Sequence, residues 1–195
     1  MNLPKIIVVA LFTTAVLGSS AATASATTLT SPTGTVYTAT IKLENEGPIK
    51  IGGSFSEVEC KKSTIEETVQ QHGAGITVAA KATSVTVTEC NFPTTVKTLG
   101  TIEIHPALTG SEVDGKVTST GIGISVHTSA GECTFTTSNT PVGTLTGTQA
   151  TKGAATLDIV SATIPRTSGN FLCGSFGTLN GSYKSLSPGN SWIDS

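Results

Sequence analysis

Short stretches of alternating apolar and polar residues recur along the chain from residue 37 onward. A period of two over roughly five to eight residues is typical of strands that bury one face. Residues that favour turns separate these stretches, which predicts an all-β fold of about ten strands, either an antiparallel β-sandwich or a closed barrel. The apolar positions of the alternation are Tyr37, Ala39, Ile41 and Leu43; Val85 and Val87; Ile102 and Ile104; Ile122, Ile124 and Val126; and Leu157 and Ile159.

Two local patterns add detail to this prediction. Ser63 and Glu66 have the spacing of a helix capping box, but the segment from Ser63 to Gln71 is rich in β-branched residues, which favour a strand. We therefore predict a strand there. Asp114-Gly115 lies between two valines and predicts a two-residue hairpin turn.

The first 26 residues have the pattern of a secretory signal peptide. A basic start that ends at Lys5 precedes an apolar run of 13 residues, and Ala24-Ser25-Ala26 forms an A-x-A cleavage site. The run is too short to cross a membrane as a helix. We expect a signal peptide over 1–26, one β domain over 27–185, a C-terminal tail over 186–195, and no membrane span in the mature chain.

Composition narrows the classes of function. Charged residues make up 12% of the chain, about half the usual share, whereas 36 residues are Thr and 21 are Gly. The formal net charge is −2 and Arg166 is the single arginine, so the sequence lacks the cation cluster that nucleic-acid binding needs. Moderate hydrophobicity with low net charge also excludes an intrinsically disordered chain.

Four cysteines in an exported protein predict disulfide bonds. Spacing alone leaves three pairings open, and we favour Cys60–Cys90 with Cys133–Cys173 because sequential pairs close the shorter loops. No two cysteines have the C-x₂₋₄-C spacing of a zinc half-site, so no metal site is predicted.

Motifs for catalysis are incomplete. His72, His105 and His127 lie in separate segments, and the polar phase of their strands predicts solvent-facing side chains for the last two. Residues 52–56 have only part of a serine-hydrolase elbow, and residues 173–176 have only part of a cysteine-protease motif. We therefore predict no catalytic residue and no cofactor.

Several segments carry a family resemblance: CKKSTIEETV, VTVTECNF, GECTF, VGTLTG, ATLDIVSATIP and SGNFLC, in this order. Together they resemble secreted four-cysteine, Thr/Gly-rich proteins of actinobacteria. They are more distantly similar to the PraB-like family, which is named for activation of alkane oxidation. The resemblance implies an exported β-rich protein of the cell surface or extracellular matrix, and it supplies no catalytic residues.

Two functions remain open from the sequence. The first is a non-enzymatic structural protein that self-associates or binds other surface proteins. Low charge and Thr-rich strand edges favour strand addition, and residues 27–35 are a candidate free arm that completes a neighbour's sheet. The alternative is a binding module for a carbohydrate or a hydrophobic ligand, with Trp192 or Tyr183 at the rim of its site.

Overall fold

The protein, seen here in a computed structural model, is described over residues 26–54, 57–71, 73–74, 77–106, 115–129, 131–147 and 153–194. The predicted signal peptide lies outside these ranges except for Ala26. The elements, in chain order, are β1 (Ala26–Thr30), β2 (Thr40–Asn45), β3 (Ile49–Gly52), β4 (Val58–Gln71), β5 (Gly73–Ala74), β6 (Val78–Cys90), β7 (Thr94–Thr98), β8 (Thr101–Pro106), β9 (Gly115–Thr120), β10 (Gly123–Thr128), β11 (Gly131–Thr136), β12 (Thr140–Thr146), β13 (Thr156–Ser168), the 3₁₀ helix η1 (Phe171–Cys173), β14 (Phe176–Ser187) and β15 (Trp192–Asp194).

Eight antiparallel strands close into a barrel. Going round it, β2 pairs with β4, then follow β6, β8, β9, β12, β13 and β14, and β14 pairs again with β2. The all-β prediction is confirmed, and of the two predicted architectures the closed barrel is the one found. Closure leaves one face of every barrel strand directed inward, which accounts for the period-two pattern of the sequence.

Several wall strands are interrupted without a change of direction. β2 pairs with residues 64–68 of β4, and β3 continues along β4 to residues 58–60. The segment around Gly47 and Pro48, between β2 and β3, therefore interrupts one long strand and does not reverse the direction of the chain. The pairs β7 and β8, β9 and β10, and β11 and β12 follow each other in the same way.

Side-chain hydrogen bonds and glycines allow the strands to be interrupted at these points. Asn45 Oδ1 accepts a hydrogen bond from the Ser63 backbone N–H at 2.7 Å, and Asn45 Nδ2 donates to the Lys61 carbonyl at 2.8 Å. The amide side chain thus replaces ladder bonds beside the break between β2 and β3. At another break, a Cβ on Gly100 would lie 2.0 Å from the Thr120 carbonyl oxygen, so only glycine fits there.

Two local predictions have opposite outcomes. Ser63–Gln71 lies within β4, so the strand prediction is confirmed and no capping box forms. The predicted turn at Asp114-Gly115 is wrong for Gly115, which is the first residue of β9 and pairs with Pro106, while Asp114 lies outside the described residues. A Cβ on Gly115 would lie 2.3 Å from Ile104 Cγ2, so this glycine serves close packing and not a turn.

A small three-stranded sheet, in the order β15, β1 and β5, packs against the barrel. β1 pairs with β15 through Thr28–Thr30 and Trp192–Asp194, and Leu29 and Ile193 are each 1% exposed. The predicted free state of residues 27–35 is therefore wrong for Thr28–Thr30, which pair with the C-terminal strand of the same chain. The same strand, β15, lies within the predicted C-terminal tail. We call the pair β1 and β15 the end sheet.

Both predicted disulfides are present. Cys60 and Cys90 occupy directly opposite positions on β4 and β6, while Cys133 of β11 binds Cys173 of η1. Cys60, Cys133 and Cys173 are fully buried. Each bond therefore ties together parts of the wall that are far apart in sequence. Among the described residues, no helix is long and apolar enough to cross a membrane.

Candidate ligand site in the barrel interior

The barrel interior holds a mostly apolar cavity of about 50 Å³, which we call the upper cavity. Its aliphatic walls come from strands on all sides because each contributes its inward-facing positions. Two pairs of hydroxyl groups interrupt these walls. The aliphatic lining includes Ile49, Ile65, Val85, Val87, Ile102, Ile122, Ile124, Val142, Leu157, Ile159, Ile164 and Leu179, and the hydroxyl groups belong to Ser63, Tyr183, Ser119 and Thr137.

The first hydroxyl pair joins β4 to β14. Ser63 Oγ and Tyr183 Oη are 2.9 Å apart, and Ser63 Oγ also donates to the Thr86 carbonyl at 3.0 Å. Since the single hydroxyl proton of Ser63 goes to that carbonyl, Tyr183 is the donor in the pair. Burial raises the pKa of Tyr183 to about 12, so the phenol stays protonated at physiological pH.

The second hydroxyl pair lies at the break between β11 and β12. Ser119 Oγ and Thr137 Oγ1 are 3.0 Å apart, and Thr137 Oγ1 also accepts from the Ile122 backbone N–H at 3.0 Å. Both side chains are at most 5% exposed. These hydroxyls therefore satisfy backbone and side-chain groups that the interruption leaves inside the barrel.

A lower cavity of about 20 Å³ lies between the barrel interior and the end sheet. Leu29 and Ser191 line it from the end-sheet side, and Glu67 and Ser185 line it from the wall. Ile102 and Leu157 line both cavities, which places the two next to each other in the interior.

Glu67 is the unusual residue of this lower cavity. It is 2% exposed, and its Oε1 has no hydrogen-bond partner among the described residues; the same holds for Ser185 Oγ. Burial raises the pKa of Glu67 to about 8, because a carboxylate in apolar surroundings loses its hydration. The carboxyl group is therefore mostly protonated at pH 7.

The wall is thinnest between β6 and β7. β6 pairs with β8 only over Val78–Lys81, and one more backbone bond joins Ala82 to Gly100. Beyond that point no ladder within residues 77–106 joins β6 to β7. Val85 and Val87 are half-buried there and line the upper cavity, and we call this gap the mouth.

A polar cluster on β7, β10 and β11 lies apart from the interior. Ser125 Oγ donates to Glu132 Oε1 at 2.6 Å, Lys97 Nζ is 3.0 Å from the same oxygen, and His127 Nε2 is 3.6 Å from Glu132 Oε2. The bond from Ser125 and the charge of Lys97 lower the pKa of Glu132. Ser125 is fully buried, so its hydroxyl is not accessible to a substrate in this structure.

The sequence candidates fall in different places. Tyr183 lines the upper cavity from within, whereas Trp192 is half-buried in the end sheet and lines neither cavity. His105 and His127 are on separate strands, each beside a glutamate, and His72 lies outside the described residues. Within the described ranges, no group of three or more His, Cys, Asp or Glu residues could hold a metal ion.

Sequence reasoning considered Ser63 only as part of a capping box and predicted no ligand site at Ser63 or Glu67. Both occupy the apolar phase of β4, where Ile65 and Val69 are also buried. Glu67 could have been recognised as a charged residue at an inward-facing position of β4. That recognition requires knowing first that the segment is a strand and which of its alternate residues face inward.

An exposed apolar patch lies beside the second disulfide. Phe171, Leu172 and Phe176 are 83%, 48% and 54% exposed, and Cys173 holds their loop to β11. We call these three residues the apolar patch.

No family model, curated protein or solved structure matches this chain.

Proposed function

We propose that the protein is an exported, non-enzymatic barrel that binds a small aliphatic molecule in its interior. The upper cavity carries this proposal: its walls are almost wholly aliphatic, and the inward hydroxyls of Ser63 and Tyr183 are already paired. Ligand sites of this kind combine apolar walls with a few oriented polar groups. Small eight-stranded barrels also hold single small ligands.

The size of the cavity limits the class of ligand. Its volume of about 50 Å³ is well below the roughly 150 Å³ of an engineered apolar cavity that binds benzene. An unbranched alkyl chain is narrower than an aromatic ring. A six-carbon chain still needs more volume than this cavity has, so the proposal requires that bordering side chains move on binding; Val85, Val87, Ile122 and Leu179 border the cavity and are only half-buried. We therefore favour unbranched aliphatic ligands over rings and sugars.

Export is supported by the cysteines and by the leader-like N-terminus. All four cysteines form disulfides, which persist in oxidising compartments outside the cytosol. The basic start, apolar run and A-x-A site of residues 1–26 agree with this placement.

Calorimetric titration with 1-hexanol and benzene tests the binding proposal. We expect 1-hexanol to bind and benzene to bind at least tenfold more weakly. Val87→Trp places a large ring at the mouth and should weaken hexanol binding at least tenfold. Val160→Trp is the matched control, because Val160 is 78% exposed on the outside of β13. Absence of hexanol binding, or equal affinity in the two tryptophan variants, would contradict the proposal.

A second candidate is a structural role through self-association, and the apolar patch favours it. Two phenylalanines and a leucine on one braced loop form an apolar surface that a second copy could cover. The resemblance to secreted matrix proteins agrees with this role. Strand addition by residues 27–35 is less favoured, because β1 would first have to leave β15.

Sedimentation velocity tests self-association. We expect concentration-dependent association of the mature protein that Phe171→Ser with Phe176→Ser abolishes. Val160→Ser should leave it unchanged, since Val160 is equally exposed but lies outside the apolar patch. A monomer at millimolar concentration would remove this candidate.

A further inference from the structure

The lower cavity contains a buried carboxyl group, one oxygen of which has no hydrogen-bond partner among the described residues. Glu67 Oε1 is buried and lacks a hydrogen bond among the described residues, and the neighbouring Ser185 Oγ is in the same state. Both side chains line one cavity of about 20 Å³. Buried polar groups in proteins are normally hydrogen-bonded, so two unsatisfied groups on one cavity indicate a missing partner.

The surroundings of Glu67 lack a cation that could be this partner. The cavity-lining residues from β1, β2, β8, β9, β12, β13 and β14 carry no charge. On the two flanking strands, the nearest cations are Lys42 of β2, which pairs with Glu66 on the outer face, and the exposed Lys81 of β6. Glu67 is thus the one titratable group that lines this cavity.

We propose that Glu67 and Ser185 bind the ammonium group of a small aliphatic amine. The proposal deepens, and rests on, the proposed binding of an aliphatic ligand in the upper cavity. An ammonium donates up to three hydrogen bonds, and a buried carboxylate and a hydroxyl are both acceptors for it. Charge-assisted bonds of this kind are about twice as strong as neutral ones.

In this proposal the alkyl chain of the ligand lies in the upper cavity and its ammonium group lies in the lower cavity. The two cavities share the side chains of Ile102 and Leu157, so an alkyl chain in the upper cavity points its head group toward Glu67. The proposal requires that these two side chains move, so that the two cavities join. A longer unbranched chain therefore gains apolar contact, whereas ethylamine reaches only the lower cavity.

Binding of the amine is coupled to a proton. Free Glu67 is mostly protonated at pH 7 because burial raises its pKa to about 8. The incoming ammonium keeps its own protons, Glu67 loses one to the buffer, and the complex is an ammonium–carboxylate pair. Amine affinity therefore rises with pH up to about pH 8, and a neutral alcohol shows no such rise.

Titration of 1-hexylamine and 1-hexanol at pH 6, 7 and 8 tests the inference. We expect hexylamine to bind at least tenfold more tightly than hexanol at pH 8. Glu67→Gln should remove this preference and abolish the rise of hexylamine affinity between pH 6 and pH 8. Glu66→Gln is the matched control, since Glu66 is the adjacent carboxylate on the outer face of β4.

Proton release provides a measurement that needs no variant. Titrating wild-type protein with hexylamine at pH 7 in phosphate and in Tris should give binding enthalpies that differ by nearly the full difference between the ionisation enthalpies of the two buffers, because nearly one proton passes to the buffer. If hexanol binds but hexylamine binds no better and releases no proton, this inference fails and the proposed function stands. If neither probe binds, both fail.

Discussion

Tyr183 donates a hydrogen bond to Ser63 inside the barrel, with their oxygens 2.9 Å apart. The two residues belong to β14 and β4, which flank β2 on its two sides, so the bond spans the interior behind that strand. Ser63 in turn donates a hydrogen bond to the Thr86 backbone carbonyl, so the hydrogen bonds continue to β6. This polar pair is satisfied by the fold itself, unlike Glu67.

The chain of bonds predicts unequal effects of removing its two members. Tyr183→Phe removes one donor but leaves Ser63 bonded to Thr86, so we expect a loss of about 1 kcal/mol in the free energy of unfolding. Ser63→Ala leaves the buried Tyr183 hydroxyl without an acceptor and should cost about 1–3 kcal/mol. Urea denaturation of both variants measures the difference.

The double variant distinguishes coupling from general loss of packing. Removing both hydroxyls leaves no unsatisfied phenol, so the double variant should be less destabilised than the sum of the single variants. Additive effects would show that the two hydroxyls act independently.

The sequence predicted strands better than it predicted their arrangement. Alternation at Ile102 and Ile104 follows directly from one buried face, and both residues are in the core. Closure instead depends on β2 pairing with β14, whose residues are more than a hundred positions away in the chain. No local pattern carries that pairing, so a sandwich and a barrel gave the same sequence signal.

Gly115 shows why a turn predicted from a glycine can be wrong. The sequence pattern predicts a turn there, whereas in the structure the missing side chain lets Ile104 pack closely against the backbone. The need for a missing side chain arises from a contact between two strands, which the sequence does not display. The site shows the same limit, because Glu67 becomes notable only when its neighbours across the barrel are known to be apolar.

Gly100 offers a test of the interrupted strands. A Cβ there would meet the Thr120 carbonyl oxygen at 2.0 Å, and backbone cannot move aside as a flexible side chain can. Gly100→Ala should therefore lower the free energy of unfolding by about 1–3 kcal/mol or more. Gly153→Ala is the matched control, because nothing lies within 4 Å of its added Cβ. Equal stability of the two variants would show that the break at Gly100 relaxes freely.

The two disulfides predict different local consequences. Their sequence separations are 30 and 40 residues, so the chain-entropy model assigns about 4 kcal/mol of stabilisation to each. Replacing Cys133 and Cys173 with Ala also releases η1 from β11, and we expect rapid proteolysis within residues 169–175. Replacing Cys60 and Cys90 should destabilise the barrel to a similar degree without early cleavage in that loop.

Limited proteolysis followed by mass spectrometry checks this difference at a temperature where both double variants remain folded. Early cleavage at the same sites in both would show that the second disulfide does not specifically hold η1.

Glu67 predicts how stability depends on pH. Burial raises its pKa from 4.5 to about 8 in the folded protein, so between these values the folded state binds a proton that the unfolded state has lost. Stability from this group is therefore complete below about pH 4.5 and falls as pH rises through about 8. The slope between pH 5 and 7 is about 1.4 kcal/mol per pH unit.

Comparison with Glu67→Gln isolates this effect, because the amide has a similar shape and no charge to lose. The lowered pKa values of Glu89 and Glu132 act below pH 4.5 and do not contribute to the slope between pH 5 and 7. Urea denaturation at pH 5, 6 and 7 should show wild-type stability falling relative to the variant. A constant difference between the two proteins would mean that Glu67 is already ionised at pH 5. The carboxyl group would then have a partner, and the binding of an ammonium group would lose its physical basis.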